Sequence, residues 1–330
     1  MKTYVDIIST NNLLKVWKEF LRGKKKRKDV NVFSLHLMDN IFRLHKDMKN
    51  KEYKHDEYEA FGISDPKPRK IHKATVRDRL VHHVLYEALS PQFNQRFISD
   101  SYSCRLNKGM HRALARFKIY SGKVSKNNTK TCWILKCDIR KFFASIDQSI
   151  LTSILEKYIS DKDILWLLSN VIHSFHSTAP GKGLPLGNLT SQLLVNIYMN
   201  EFDQFVKHKL KIKCYIRYAD DFVVFDSCKS NLENLIIIFR EFLKENLKLD
   251  LHPNKVFIKT LASGVDFLGW VHFPNHRVLR TVTKKRMMKK IKSGFRPEVI
   301  ASYIGMLEHG DAYTLRKNIE NLPEIEIKPK

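Results

Sequence analysis

The chain contains no apolar run that approaches the length of a membrane-spanning helix, and its N-terminus lacks the apolar core of a signal peptide. Its five cysteines include no Cys-x-x-Cys pair, which argues against a zinc site. Several of these cysteines lie in predicted strands, so we expect reduced core residues. There is no internal repeat and no low-complexity tract. Together these absences favour a globular, cytoplasmic protein.

Acidic residues are scarce relative to basic ones. Asp and Glu number 34 against 59 Lys and Arg, which leaves a net charge of +25. Such a balance indicates a polyanionic partner, either nucleic acid or an anionic membrane surface. Without a spanning segment, nucleic acid is the better hypothesis and no membrane partner is expected. The 330 residues are 43% hydrophobic, enough for a substantial core in one large domain or two to three small ones.

Two adjacent carboxylates interrupt a strand-like region near the middle of the chain. The runs Cys214–Tyr218 and Phe222–Phe225 are rich in aromatic and β-branched residues, and Asp220 and Asp221 lie between them. This pattern predicts a β-hairpin with both acids at its tip. Asp is also common in ordinary solvated turns, and that reading stays open on the hairpin alone. Two neighbouring acids repel each other unless a cation or solvent offsets them, and a hard divalent cation is the natural partner.

A third carboxylate follows another short strand-like run. The segment from Trp133 to Ile139 carries Asp138 near its end. Acids that converge from separate strands suit two-metal phosphoryl chemistry, in which one ion activates a hydroxyl and the other stabilises the leaving pyrophosphate.

The ordered set of Asp138, the block 183–187 and the motif 218–221 (Tyr-Ala-Asp-Asp) resembles the palm of a reverse transcriptase. The resemblance implies an α+β fold with right-hand polymerase fingers and palm, an antiparallel palm sheet, and a small helical thumb. We expect a helical N-terminal extension at 1–60, fingers and palm at 61–272, and a basic thumb and tail at 273–330. It further implies that Asp138, Asp220 and Asp221 hold two Mg²⁺, with Mn²⁺ as a substitute. Template RNA, a cDNA or primer strand, and dNTPs would be the partners.

The N-terminal region has apolar residues at helical spacing. The segments 12–21 and 32–44 predict two helices, and the basic run Lys24–Lys28 lies between them. Such a run is usually a solvated loop, and contact with a phosphate backbone is the second interpretation.

Two basic blocks follow where the resemblance places the fingers. A proline-containing break at 65–70 precedes the first, and a helical stretch at 80–89 follows it. The implied dNTP-binding residues here are Arg69, Lys70 and Arg77. The second block supplies the implied nucleic-acid-binding residues Arg105, Lys108 and Arg112. For any single one of these cations, an exposed structural position is the plainer alternative.

Two further features bear on nucleotide selection. Phe143 lies five residues after Asp138, where the family has an aromatic that rejects a 2′-hydroxyl, although a core aromatic fits the spacing nearly as well. The block 181–192 places three glycines and a proline before a predicted helix, which forms a tight turn that a ligand can approach.

This block departs from most reverse transcriptases, which have Gln-Gly and end in Ser-Pro. Here it reads Leu186-Gly187 and ends in Ser191-Gln192. That variant is similar to the reverse transcriptases of diversity-generating retroelements, which are bacterial or phage-encoded, copy a template RNA with errors at adenines, and work with a small basic accessory protein. Loss of the glutamine amide removes a polar contact beside the nascent base pair. Leu186, Gly187 and Gln192 are therefore expected at the dNTP site.

The remaining blocks agree with the resemblance. Lys255 ends a block that the family uses near the pyrophosphate, as a general acid. The segment 265–270 resembles the primer-grip turn and contributes Gly269 and Trp270. The strongly basic region 277–292 contributes Lys284, Lys285 and Arg286 as nucleic-acid contacts, and 302–317 resembles a short helical thumb.

Three alternatives stay open at this stage. One is a reverse transcriptase of an antiphage-defence or retron-like system. A second is a group II intron enzyme, disfavoured by Ser191-Gln192 and by the lack of a maturase tail or of room for an RNase H, endonuclease or zinc-binding segment. The third is a non-catalytic RNA-binding protein, disfavoured by the presence of all three aspartates.

Overall fold

The computed structural model describes residues 2–64, 68–177, 179–292 and 297–320. The N-terminal region is helical up to residue 49, short of the expected limit at residue 60, and the first strand begins at Glu59. Four helices precede the first strand: α1 (Tyr4–Ile8), α2 (Thr10–Phe20), α3 (Lys28–Leu35) and α4 (Leu37–Lys49). The single helix predicted at 32–44 is wrong, because the chain leaves helical geometry at His36 (φ −118°, ψ 40°). The Asn40 side-chain amide donates to the Phe33 carbonyl across this break and replaces a helical partner.

An antiparallel hairpin and two helices form the next section. Strands β1 (Glu59–Ile63) and β2 (Arg69–Lys73) pair with each other, and part of the proline-containing break between them, at 65–67, lies outside the described residues. Helix α5 (Val76–Arg96) is much longer than the predicted stretch at 80–89. Thr75 caps its N-terminus by accepting a hydrogen bond from the Asp78 backbone. Helix α6 (Met110–Val124) follows.

The central sheet has four antiparallel strands in the order β4-β5-β3-β6. These are β3 (Trp133–Asp138), β4 (Tyr215–Tyr218), β5 (Asp221–Asp226) and β6 (Phe257–Thr260). The connections supply α7 (Phe142–Ser145), α8 (Gln148–Tyr158), α9 (Lys162–His173), α10 (Leu189–Gln204), a π-helical turn (Phe205–Lys209) and α11 (Lys229–Leu247). The strands predicted at 133–139, 214–218 and 222–225 agree with β3, β4 and β5 to within a few residues.

The C-terminal part begins with a three-stranded antiparallel sheet. After a 3-10 turn (Leu261–Ser263), β7 (Val265–Phe267), β8 (Trp270–His272) and β9 (Arg277–Leu279) pair in chain order. Helices α12 (Thr281–Lys292), α13 (Pro297–Leu307) and α14 (Tyr313–Glu320) follow. Among the described residues, none of the helices is both long and apolar enough to cross a bilayer.

The central sheet separates two hydrophobic clusters because strand side chains alternate between faces. Leu135, Phe222 and Val224 pack with α5, α8, α10 and α11 on one face. Ile134 and Val223 pack with α6 and the three-stranded sheet on the other face. Three of the cysteines are buried in these clusters, whereas Cys104 and Cys228 are exposed, and all five are free thiols. The chain is thus a mixed helix and sheet protein with antiparallel sheets.

Candidate active site

The paired aspartates lie at the tip of the β4–β5 hairpin. Tyr218 pairs with Asp221, so the turn consists of Ala219 and Asp220, and Ala219 has a left-handed backbone (φ 58°). On the other side of β5, Asp138 is the register partner of Asp221. The Ile139 backbone N–H donates to the Asp220 carbonyl at 3.2 Å. The antiparallel register therefore brings together three carboxylates that are far apart in the sequence.

Two of these carboxylates are held in an environment that disfavours their charge. Burial raises the pKa of Asp221 to about 7, Lys136 opposes the shift, and the Asp220 charge adds to it. Burial and the neighbouring Asp138 likewise raise the pKa of Asp220. Asp221 Oδ1 is buried and has no hydrogen-bond partner. A buried carboxylate oxygen without a partner fits coordination of a cation, because it has a lone-pair acceptor to offer and no protein donor to satisfy it.

Two lysines face the carboxylates directly. Lys255 Nζ lies 2.9 Å from Asp138 Oδ1 and 3.1 Å from Oδ2, so the predicted residue Lys255 does reach the site. Lys136 Nζ lies 3.4 Å from Asp221 Oδ2 and was not predicted. Its position two residues before Asp138 on one strand was the available indication, since such residues share a face of the sheet.

The donor set has the chemistry of a magnesium site, with oxygen ligands only. However, no group of three or more His, Cys, Asp or Glu side chains within the described ranges is placed so that it could hold a metal ion. Both oxygens of Asp138 contact Lys255, and one oxygen of Asp221 faces Lys136. The two ammonium groups thus occupy part of the space around the carboxylates.

The predicted dNTP-binding cations do not share one environment. Arg69 and Lys70 are exposed on β2, and the charge of Arg69 partly opposes the rise in the pKa of Asp220. Arg77 instead points towards α4, where it donates to Asp47 at 2.9 Å and stacks over the Tyr53 ring. A triphosphate contact by Arg77 would require these interactions to be exchanged.

The glycine block, residues 181–192, packs directly against β2. Gly187 has φ 109°, and a Cβ at this position would lie 2.7 Å from Ile71 Cγ2, so any other residue would be strained and would force the Ile71 side chain to shift. The Leu186 carbonyl accepts a hydrogen bond from the His72 backbone at 2.9 Å, and the Leu186 side chain is partly exposed. Gln192 is also partly exposed, and its carbonyl accepts from the Asn196 side chain.

Phe143 is partly buried on α7 beside the fully packed Phe142. The two rings meet edge to face with centroids 5.6 Å apart, and the Phe143 carbonyl accepts from the Leu184 backbone. This backbone hydrogen bond links α7 to the glycine block. Phe143 therefore combines core contacts with a partly accessible surface.

The second basic block makes mainly internal hydrogen bonds. Arg105 donates to the Asn94 side chain and to the carbonyls of Asn94, Ile98 and Ser101, so its guanidinium holds the loop after α5 in place. Lys108 donates to the Ser99 carbonyl at 2.7 Å, and the exposed Arg112 donates to the Asn107 carbonyl. Their contact with nucleic acid stays a prediction.

The predicted primer-grip and thumb residues divide into buried and exposed groups. Gly269 forms the β7–β8 turn with a left-handed backbone (φ 85°). Trp270 is 1% exposed and packs against Gly310 and the Arg277 guanidinium, so burial removes its indole from any nucleic-acid surface. Lys284 and Lys285 are exposed on α12, and Arg286 is partly buried there.

Comparison with known proteins gives a consistent result. The family model for reverse transcriptase (RNA-dependent DNA polymerase) matches residues 49–272. Protein YkfC of Escherichia coli K12 is 26% identical over 267 residues, which covers 70% of this chain and 68% of that protein. The group II intron-encoded protein LtrA of Lactococcus lactis is 24% identical, covering 68% of this chain and 47% of LtrA. The retron Ec73 reverse transcriptase of Escherichia coli is 28% identical, covering 52% and 60%.

Proposed function

The chain belongs to the reverse transcriptase (RNA-dependent DNA polymerase) family, and on that premise we propose that it copies an RNA template into cDNA by two-metal nucleotidyl transfer. Its enzyme class is RNA-directed DNA polymerase. The proposed reaction is attack of a primer 3′-hydroxyl on the α-phosphate of a dNTP, with release of pyrophosphate. Template RNA, primer and dNTPs are the partners that this family membership implies.

The observation that carries the proposal is the register of β3, β4 and β5. It brings Asp138 opposite Asp221 and next to Asp220, at the end of a sheet that is packed on both faces. When bound, divalent ions would activate the attacking hydroxyl and offset the charge that develops on the phosphate. The three aspartates would hold Mg²⁺, with Mn²⁺ as a substitute, and Asp221 Oδ1 would gain the partner that it lacks within the protein.

The residues around the carboxylates would assist metal binding, departure of the pyrophosphate and nucleotide selection. For Asp138 to bind a cation, its oxygens must exchange their contacts with Lys255. The freed ammonium would then be available to donate a proton to the leaving pyrophosphate. Arg69, exposed on β2, would contact the triphosphate, and Phe143 would lie beneath the sugar and favour deoxynucleotides.

Within this class we further propose an error-prone enzyme of the diversity-generating type, with a small basic accessory protein as partner. The support is the pair Leu186-Gly187 together with Ser191-Gln192. The Leu186 carbonyl bonds to β2, and its apolar side chain has no group that could hydrogen-bond a base pair. Similarity to the retron Ec73 enzyme favours a retron-like system as the second candidate. Similarity to LtrA supports a group II intron enzyme as the third.

Primer extension by the purified protein on a defined RNA template tests the enzyme activity. We expect dNTP- and Mg²⁺-dependent DNA synthesis, and deep sequencing of the product separates the candidates. Frequent substitutions opposite template adenines would support the diversity-generating type, whereas uniformly low error rates would favour the other classes. Absence of synthesis on every primed template, with RNA binding intact, would contradict the proposed function.

A further inference from the structure

We propose that Arg217, buried behind the β4–β5 hairpin, is a positioning residue that fixes the backbone of the Ala219–Asp220 turn and so the placement of the catalytic carboxylates. This inference rests on the proposed function, because it concerns the same aspartates. Arg217 itself touches none of them. It lies on the opposite face of the sheet, where Asp138 and Asp221 do not project.

Every N–H of the Arg217 guanidinium has an acceptor within the protein. Nε and Nη2 donate to the two oxygens of Asp203 on α10, at 2.8 and 2.6 Å. The other Nη2 hydrogen goes to Ser101 Oγ at 3.1 Å, and Nη1 donates to Asn196 Oδ1 at 3.2 Å and to the Ala219 carbonyl at 3.1 Å. Only a planar five-donor group can join all four partners at once.

The guanidinium is held rigidly in this position. Arg217 and Asp203 are both 0% exposed, and the Tyr215 hydroxyl donates to Asp203 as well. The Arg217 backbone is also fixed, since its N–H donates to the Asp100 carbonyl and its own carbonyl accepts from Tyr102. A side chain immobilised by a bidentate ion pair and two backbone bonds is a fixed reference point for whatever else it contacts.

Arg217 contacts the hairpin at Ala219, a residue with an unfavourable backbone conformation. Ala219 adopts φ 58°, a left-handed conformation that is unfavourable for a residue with a Cβ. Asp220 follows directly, and its carbonyl accepts from the backbone of Ile139, the residue after β3. The turn is therefore held from behind by Arg217 and from the front by β3. Without the rear contact, the turn can relax and shift the carboxylates relative to Asp138.

The ion pair alone does not explain this arrangement. The bidentate pair with Asp203 uses two of the five donors, and the other three contact Asn196, Ser101 and Ala219, which connects α10, the loop after α5 and the catalytic turn. An ion pair that served only the stability of the core would not need a contact with the carbonyl of Ala219, the residue before Asp220. The network thus transmits the position of α10 to the active site.

Arg217→Lys is the decisive variant, because it keeps the buried positive charge opposite Asp203 but removes the fork that reaches Ala219. Tyr198→Phe is the matched control. It removes one buried hydrogen bond, from the Tyr198 hydroxyl to the Leu247 carbonyl, on the same helix α10 but away from the hairpin. Both variants are compared with the wild type well below their unfolding temperatures.

Two measurements separate positioning from simple stability. Hydrogen–deuterium exchange of peptides spanning 217–222 should be faster in metal-free Arg217→Lys and unchanged in Tyr198→Phe. In primer extension, kcat should fall by about tenfold to hundredfold in Arg217→Lys, with KM for dNTP within a factor of a few. Tyr198→Phe should keep wild-type kcat.

Hairpin exchange and kcat in Arg217→Lys that match those of Tyr198→Phe would overturn the inference. If Arg217→Lys fails to fold, Asn196→Ala replaces it, since it removes one neutral partner of the same guanidinium; it should show the same changes at smaller amplitude, and their absence would also overturn the inference. The exchange measurement does not require activity. An inactive wild type would therefore count against the proposed function, while faster exchange at the hairpin would still support the role of Arg217.

Discussion

Lys255 Nζ bridges both carboxylate oxygens of Asp138, at 2.9 and 3.1 Å, although 117 residues separate the two in the sequence. The contact arises because the His252 backbone donates to the Asp138 carbonyl and the Lys255 backbone donates to that of His252. These backbone bonds thus place the Lys255 ammonium group against Asp138, the one of the three carboxylates that does not belong to the β4–β5 hairpin. Its replacement gives the first prediction.

Lys255→Met should lower kcat by about 10²-fold while KM for dNTP changes little, because a proton donor to the leaving group would be lost. Single-turnover primer extension measures the effect. Lys259→Met is the control, since Lys259 is an exposed lysine on the adjacent strand β6. Equal loss in both variants would show that general reduction of positive charge, and not proton donation, is responsible.

Asp221→Asn, and separately Asp220→Asn, should abolish dNTP incorporation while RNA binding remains largely intact, because the ions and not the fold depend on these charges. Primer extension and filter binding are the measurements. Asp226→Asn provides a matched control at the other end of strand β5, where the carboxylate accepts from the Cys228 backbone. Near wild-type synthesis by both active-site variants would remove the assignment of the carboxylates.

Phe143→Ala should admit ribonucleotides, because the clash with the 2′-hydroxyl would disappear. The ratio of kcat/KM for rNTP and dNTP is the measurement. Phe142→Ala is the neighbouring control: its ring is 3% exposed, so its loss should destabilise the protein without altering sugar selection. An unchanged ratio in Phe143→Ala would identify Phe143 as a core residue only.

Leu186→Gln should reduce misincorporation opposite template adenines without abolishing synthesis. One restored polar contact is worth roughly 1–3 kcal/mol of discrimination, or about one to two decades in selectivity. Deep sequencing of cDNA from one RNA template compares the variant with the wild type, and Leu210→Gln, on a partly buried residue at the end of the π-helical turn, is the control. Equal and low error rates in all three proteins would remove the mutagenic interpretation.

His272 predicts a pH dependence of stability. Burial on β8 lowers its pKa from 6.5 to about 4, so the folded state binds a proton less readily than the unfolded state. Its contribution to stability is therefore present above the ordinary pKa and is lost as pH falls from about 6.5 towards 4. At pH 5.5 the loss should be about 1.4 kcal/mol relative to neutral pH.

Thermal unfolding at pH 7.5 and pH 5.5 measures this difference. His272→Phe should reduce the drop in unfolding temperature, because the replacement keeps an aromatic ring against Phe117 and cannot be protonated. His36→Phe, at an exposed position, should leave the drop unchanged. An identical drop in His272→Phe and the wild type would assign the pH dependence to other groups.

Local sequence pattern was sufficient for the parts of the molecule governed by short-range rules. Short runs of aromatic and β-branched residues located β3, β4 and β5, and helical spacing located α2. The enzyme class predicted from the ordered motifs is confirmed by the family match over residues 49–272. The break at His36 was missed because the apolar spacing continues through it, and only the side-chain bond from Asn40 reveals it.

Chemical type alone did not determine which charged residues are free to act. Arg77 and Arg105 read as basic residues available for phosphate, yet both donate to acceptors within the chain, and Trp270 is buried. In the opposite direction, Lys136 and Arg217 carried no motif, yet one faces Asp221 and the other holds the hairpin from behind. Each is held in place by a carboxylate that is distant in the sequence, Asp221 for Lys136 and Asp203 for Arg217.

The sequence by itself thus located three strands of the central sheet and several helices, and it predicted three candidate carboxylates, because propensity, spacing and motif order act over a few residues. The tertiary structure alone decided which cations reach those carboxylates, that Asp221 Oδ1 is buried without a partner, and that Gly187 abuts Ile71. These relationships depend on strand register and on burial. Both are set by how distant segments pack, which no local pattern encodes.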